Sequence, residues 1–66
     1  MSELLVDKLK NSIGLQAVIF TENGFRFECK ILKLDNIFLE IYDTKKSMTK
    51  LIKITEINEV NLTHGY

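Results

Sequence analysis

Residues 26–36, RFECKILKLDN, break the alternation with which they begin. Phe27, Cys29 and Ile31 alternate with Arg26, Glu28 and Lys30, as a strand with one buried face requires, because successive side chains point to opposite faces. Leu32 and Leu34 are then apolar and Lys33 polar, so the parity changes. In a flat strand a one-residue slip exchanges the faces and would point two leucines at water. A bend near Ile31–Leu32 resolves the conflict: the strand faces the core with Phe27, Cys29 and Ile31, turns, and faces it again with Leu32 and Leu34. Strands that leave one sheet and enter another in this way build small barrels.

The flanking sequence supplies the rest of such a barrel. LQAVIFT, residues 15–21, is β-branched and aromatic, and Asn23-Gly24 predicts a two-residue type I′ hairpin into the bent strand. Asp35-Asn36 is a second tight-turn pair. IFLEIYD then places Ile37, Leu39 and Ile41 on one face, TKKSM forms a polar loop, and TKLIKIT is a fourth strand with Ile52 and Ile54 inward. EINEV turns into a last strand around Val60 and Leu62, and residues 63–66 are expected to fray. Before the strands, SELLVDKLKNSIG predicts a helix over about residues 2–13. Leu5, Leu9 and Ile13, with Val6, form its apolar stripe, Ser2 is its N-cap and Gly14 its left-handed C′ residue. The expected fold is mainly β: a short N-terminal helix and a strongly bent five-stranded antiparallel SH3-like barrel over about residues 15–62, one domain spanning residues 1–66.

A domain of 66 residues buries only about 60% of the surface its unfolded chain exposes, so it needs help from disulfides, metal or association. One cysteine, Cys29, and one histidine, His64, leave self-association as the expectation. The lone cysteine fits a reducing compartment, and no signal peptide or membrane-length apolar run is visible, so a cytoplasmic protein with no membrane partner is expected. Nine basic residues balance nine acidic ones, which excludes coating nucleic acid by net charge but leaves room for a local patch. Lys45, Lys46, Lys50 and Lys53 precede the next acid, Glu56, and read either as that patch or as a solvated loop and strand face. Cys29 lies on the inward face as an inert thiol, and His64 has no second ligand. No acid/base, nucleophilic or metal constellation is present, so neither an enzyme nor a cofactor is expected.

The order of these elements, NGF…DN followed by LIKITEINEV, resembles the Sm-like superfamily, which includes Lsm proteins and bacterial Hfq. The resemblance covers about Leu4 to Leu62. FTENGFRFECKILKLDNIFLEI is similar to the first motif of Hfq, and Ile52, Lys53, Ile54, Ile57 and Val60 are similar to the second motif of Lsm proteins. The chain departs from the family where Cys29 replaces a glycine, where Lys53-Ile54-Thr55 replaces Tyr-Lys-His, where Leu39 replaces an asparagine, and where Ile37 replaces a base-stacking aromatic.

What the resemblance implies is a homo-oligomeric ring, of five to seven subunits here, in which the fourth strand of one subunit pairs with the fifth of the next. It further implies single-stranded RNA, U-rich or A-rich, bound around the pore and between subunits. The pore-side positions it assigns are Asp35, Asn36 and Ile37 in one turn and Lys53, Ile54 and Thr55 in the other. On the opposite face it assigns Phe20, Phe25 and Arg26, although core packing is the reading favoured for the two aromatics, since aromatic strand residues usually serve burial. A structural or protein-interaction module that keeps the barrel without RNA binding is the competing expectation, supported by the zero net charge and the missing motif residues.

Overall fold

The computed structural model describes residues 3–63. Helix α1 (Glu3–Lys10) leads into strands β1 (Gln16–Thr21), β2 (Arg26–Leu34), β3 (Phe38–Asp43) and β4 (Met48–Lys53), a single 3-10 turn (Ile54–Glu56) and strand β5 (Ile57–Leu62). All neighbouring strands are antiparallel, in the spatial order β4-β3-β2-β1-β5. Every strand sends residues to one buried cluster: Ala17 and Ile19 from β1, Cys29 and Ile31 from β2, Leu39 and Ile41 from β3, Ile52 from β4, and Ile57 and Val60 from β5. Ile54 joins it from the 3-10 turn. A single sheet can gather one face onto one cluster only by curling, and Leu9 of α1 joins that cluster.

The parity change in β2 is a β-bulge. Pairing with β3 runs Cys29↔Asp43 and Ile31↔Ile41, shifts between Ile31 and Lys33, and resumes Lys33↔Glu40 and Leu34↔Leu39. Leu32 is the extra residue and lies outside the core cluster, so Leu34 alone returns the strand to it. It re-aims the strand so that Ile31 before it and Leu34 after it both face the core. The same point anchors the helix connection, because the Gly14 N–H donates to the Ile31 carbonyl (2.7 Å) and the Ile31 N–H donates to that of Leu15 (3.0 Å).

Five expectations need correction. The sheet is open, not a closed barrel: β4 and β5 are its two edges, and among the described residues no pairing joins them. The helix is shorter than 2–13, since Ser12 turns its hydroxyl back to the Lys8 carbonyl and its N–H to that of Leu9, tightening the last turn. Gly14 is left-handed (φ 87°) but lies beyond that turn, and Ile13 leaves the stripe and is exposed. The β1–β2 connection is not type I′, which needs positive φ at both central residues. Here only Gly24 has it (φ 86°), while its N–H donates to the Thr21 carbonyl and the Thr21 N–H to that of Phe25, a three-residue loop ending on a left-handed glycine.

Ile37 is the fourth correction: β3 begins at Phe38, and Ile37 lies 59% exposed in the turn. The fifth concerns the tail, since Thr63 donates its N–H to the Gln16 carbonyl and extends the β1–β5 ladder. The expected N-cap at Ser2, residues 64–66 of the tail, and His64 itself lie outside the described residues.

Candidate nucleic-acid interface

The two turns singled out by sequence, eighteen residues apart, meet in space. Asp35 organises the first: its Oδ1 accepts the N–H groups of Ile37 (2.8 Å) and Phe38 (2.7 Å), and its own N–H donates to the Phe38 carbonyl. Those backbone donors, Phe38 first, hold its carboxyl below the usual carboxylate range. The second turn is the 3-10 segment that follows β4, and the Ile54 N–H donates to the Ile37 carbonyl at 2.8 Å. With Phe38 paired to Lys53 one step along, Asn36, Ile37, Lys53 and Thr55 form one exposed group.

Ile54 departs from its expected role. It is 1% exposed and packs in the core, so it forms the floor of this surface and does not project from it. Beside it a cleft of about 260 Å³ is lined by Val6, Lys10, Leu34, Asp35, Asn36 and Ile54. The contribution of α1 to this cleft was not anticipated. Its signal was available, because Val6 and Lys10 stand four residues apart and so share one helix face.

The second group of expected residues divides. Phe20 and Arg26 are directly opposite across β1 and β2 and share one face of the sheet, where Phe20 is half-buried outside the core cluster. Phe25 lies on the other face, 61% exposed, with its ring 6.2 Å from that of Phe27. Neither phenylalanine is a core residue, so the packing alternative does not hold for either. Arg26 donates from Nη1 to Glu28 Oε2 at 2.7 Å, and Lys45 Nζ lies 2.7 Å from the same oxygen. These two cations, Lys45 first, hold the Glu28 carboxyl below its usual range.

Half of the charge in the Lys45–Lys53 run is committed. Lys45 is paired with Glu28 and Lys50 with Asp43, leaving Lys46 and Lys53 at opposite ends of β4 without an ion pair among the described residues. The run is therefore a pinned loop and strand and not a continuous basic surface. Cys29 is 1% exposed, and burial, then the Asp43 carboxylate, pushes its thiol up to about 11, which makes it a poor nucleophile. Among the described residues no three His, Cys, Asp or Glu side chains gather to hold a metal ion, and no helix is long and apolar enough to cross a membrane.

No protein-family model matches the chain, and no curated protein matches its sequence.

Proposed function

We propose that this chain is an Sm-like protein that assembles into a ring and binds single-stranded RNA in the cytoplasm. The observation that carries the proposal is the Ile54-to-Ile37 hydrogen bond, which joins the two turns that flank the open end of the β3–β4 hairpin into one surface. Each residue there has a distinct use. Asp35 fixes the turn, exposed Asn36 would hydrogen-bond a base edge, exposed Ile37 would serve as an apolar wedge, Lys53 would contact a phosphate and Thr55 would offer a hydroxyl. Lys10 and Val6 extend the same surface.

The open sheet supports the assembly half of the proposal. Among the described residues its two edges, β4 and β5, pair with no further strand, and adding β4 of one copy to β5 of the next would be a head-to-tail contact, the kind from which rings are built. Native mass spectrometry of the protein as purified from cells tests both halves at once: a closed species of five to seven copies carrying RNA is expected, and a monomer refutes the assembly. For the site, Lys53→Met should weaken oligo-U binding and lower its salt slope by roughly 0.7 per lost phosphate contact. An unchanged slope removes Lys53 from the interface.

A second reading, a protein-interaction module built on the same sheet, is favoured by one observation, the internal neutralisation of Lys45 and Lys50. Protein freed of nucleic acid that captures neither oligo-U nor oligo-A at moderate salt would select it.

A further inference from the structure

Hydrogen-bond parity fixes which backbone groups the two free edges of the sheet offer. In an antiparallel ladder, residues that exchange both backbone bonds with the strand opposite alternate with residues whose N–H and C=O point away from it. The Ile54 N–H donates to the Ile37 carbonyl, in register with Phe38↔Lys53, so Met48, Lys50 and Ile52 are the residues of β4 bonded to β3. Thr49, Leu51 and Lys53 therefore aim their N–H and C=O groups at the free edge. On the far side the Thr63 N–H donates to the Gln16 carbonyl, in register with Ala17↔Leu62, so Glu59 and Asn61 bond to β1 while Val60 and Leu62 aim theirs at the other edge. The side chains of these two rows lie on different faces. Leu51, opposite Glu40, is 62% exposed on the outer face, whereas Val60 is 5% exposed and, with Leu62, packs on the core.

We infer that β4 of one copy joins β5 of a second copy in antiparallel register with Leu51 opposite Val60 and Thr49 opposite Leu62, so that Leu51, on the outer face of its own sheet, caps the core-facing row of its neighbour. This rests on the assembly proposed above and names the residue that holds the contact. Opposed residues that exchange both bonds carry their side chains on one face, so an antiparallel contact sets the row of Thr49, Leu51 and Lys53 beside Val60 and Leu62. A parallel contact would set the same row beside Glu59 and Asn61, leaving Leu51 against a carboxylate and an amide. Leu51 is the most exposed apolar residue of β4, and its burial against an apolar row selects the antiparallel contact. In the inferred register residues 49–53 run along 58–62. Sliding by two residues sets Leu51 against exposed Asn58 in one direction, and in the other against Leu62 with only residues 51–53 and 60–62 left in contact. Two β4 edges could also pair with each other, but the row of Val60 and Leu62 would then stay bare. The chain itself carries both halves of the contact, an exposed leucine on one edge and an apolar row on the other, and that makes a second copy the occupant.

The test uses the full chain freed of nucleic acid, with assembly followed by native mass spectrometry and sedimentation over a concentration series. Leu51→Ala should raise the concentration at which assembly is half complete by roughly tenfold or more, and Leu51→Met should assemble like the wild type. Disulfide trapping reads the register without relying on the stability of any variant. Thr49 and Leu62 of adjoining copies would have Cα atoms about 5.5 Å apart, within disulfide reach, and buried Cys29 takes no part. A chain carrying both Thr49→Cys and Leu62→Cys should therefore oxidise to a covalent ladder of copies on a non-reducing gel. Thr49→Cys combined with Asn61→Cys should not, because those side chains would lie on opposite faces. A wild-type assembly that yields no ladder from the first pair, or yields one from Thr49→Cys with Glu59→Cys, overturns the register and spares the ring. Unchanged assembly of Leu51→Ala overturns the role of Leu51 and likewise spares the ring. Leu51→Cys alone linking into dimers marks a contact between two β4 edges, and that result, like a monomeric wild type, overturns both.

Discussion

Alanine substitution along β2 discriminates a bulged strand from a straight one. Ile31 is fully buried and contacts the cluster from the near side of the bulge, so Ile31→Ala should cost about 2–5 kcal/mol. Leu34, beyond the bulge, is half-buried against the same cluster, and Leu34→Ala should cost roughly 1–3 kcal/mol on the same scale. Lys33 stands outward between them, its amine 3.9 Å from Glu40 with most of its side chain in water, so Lys33→Ala should cost at most about 1 kcal/mol. A straight strand predicts the reverse order at the last two positions, because continuous alternation from Ile31 would send Lys33 inward and Leu34 outward. The whole domain holds roughly 3–10 kcal/mol at the usual 0.05–0.15 kcal/mol per residue, so the differences are large against the total. Urea denaturation at fixed protein concentration reads them as shifts in midpoint at constant slope. If Lys33→Ala proves costlier than Leu34→Ala, the bulge and the fold built on it are wrong.

Three further outcomes are expected. Ser47 is the one described non-glycine residue with positive φ (54°), a conformation that strains a side-chain-bearing residue by roughly 1–2 kcal/mol, so Ser47→Gly should raise the melting temperature; a lower one would show that Ser47 makes compensating contacts. The carboxyls of Asp43, Glu28 and Asp35 are all held below their ordinary range, Asp43 chiefly by Lys50 and then the Lys46 N–H. The unfolded chain therefore binds protons before the folded one does. Their stabilisation is complete only above about pH 5, beyond the ordinary carboxylate range of the unfolded chain, and is lost as pH falls through the depressed folded values, which melting curves from neutral to acid pH will display and Asp43→Asn should flatten. Cys29 should resist a thiol reagent at mildly alkaline pH until the protein is unfolded in urea, and rapid labelling of the native protein would place the thiol at the surface.

The bend in β2 was legible because it breaks a period-two pattern within nine residues, and that pattern is imposed by the pleat itself. Its nature was not. A face switch between sheets and a single inserted residue leave the same parity change in the sequence, and only the pairing separates them: Ile31↔Ile41 and Lys33↔Glu40 would run unbroken if Leu32 were removed. Asn23-Gly24 was legible as a turn but not as its type, since a left-handed glycine ends both the two-residue and the three-residue loop. The helix end was misjudged because Ser12 competes locally for backbone groups, which an apolar stripe cannot register. Ile54 was assigned to the site by motif position, yet its alternation with Ile52 already marked it as inward, and burial prevailed.

The same comparison explains why the turn surface could be anticipated and the contact between Lys50 and Phe27 could not. Turn residues are exposed because the chain reverses there, so Asp35 and Asn36 announce themselves by local chemistry, whereas Ile37 reads as a strand residue and only the structure places it in the turn. Phe25 and Phe27 look like strand residues bound for a core, and the sequence alone does not reveal that the curl of an open sheet brings Lys50, twenty-three residues later, over one of the rings. Openness has a further consequence for the proposed assembly. A closed barrel would satisfy its own edges and leave a ring no backbone groups to use, whereas here β4 and β5 remain free at opposite ends of one sheet. In a domain whose total stability is only a few kcal/mol, pairing those edges between copies would add stability that scales with concentration. Dilution should therefore lower the melting temperature of the assembled protein, and a melting temperature independent of concentration would mean that each chain is stable alone and that its free edges serve some other partner.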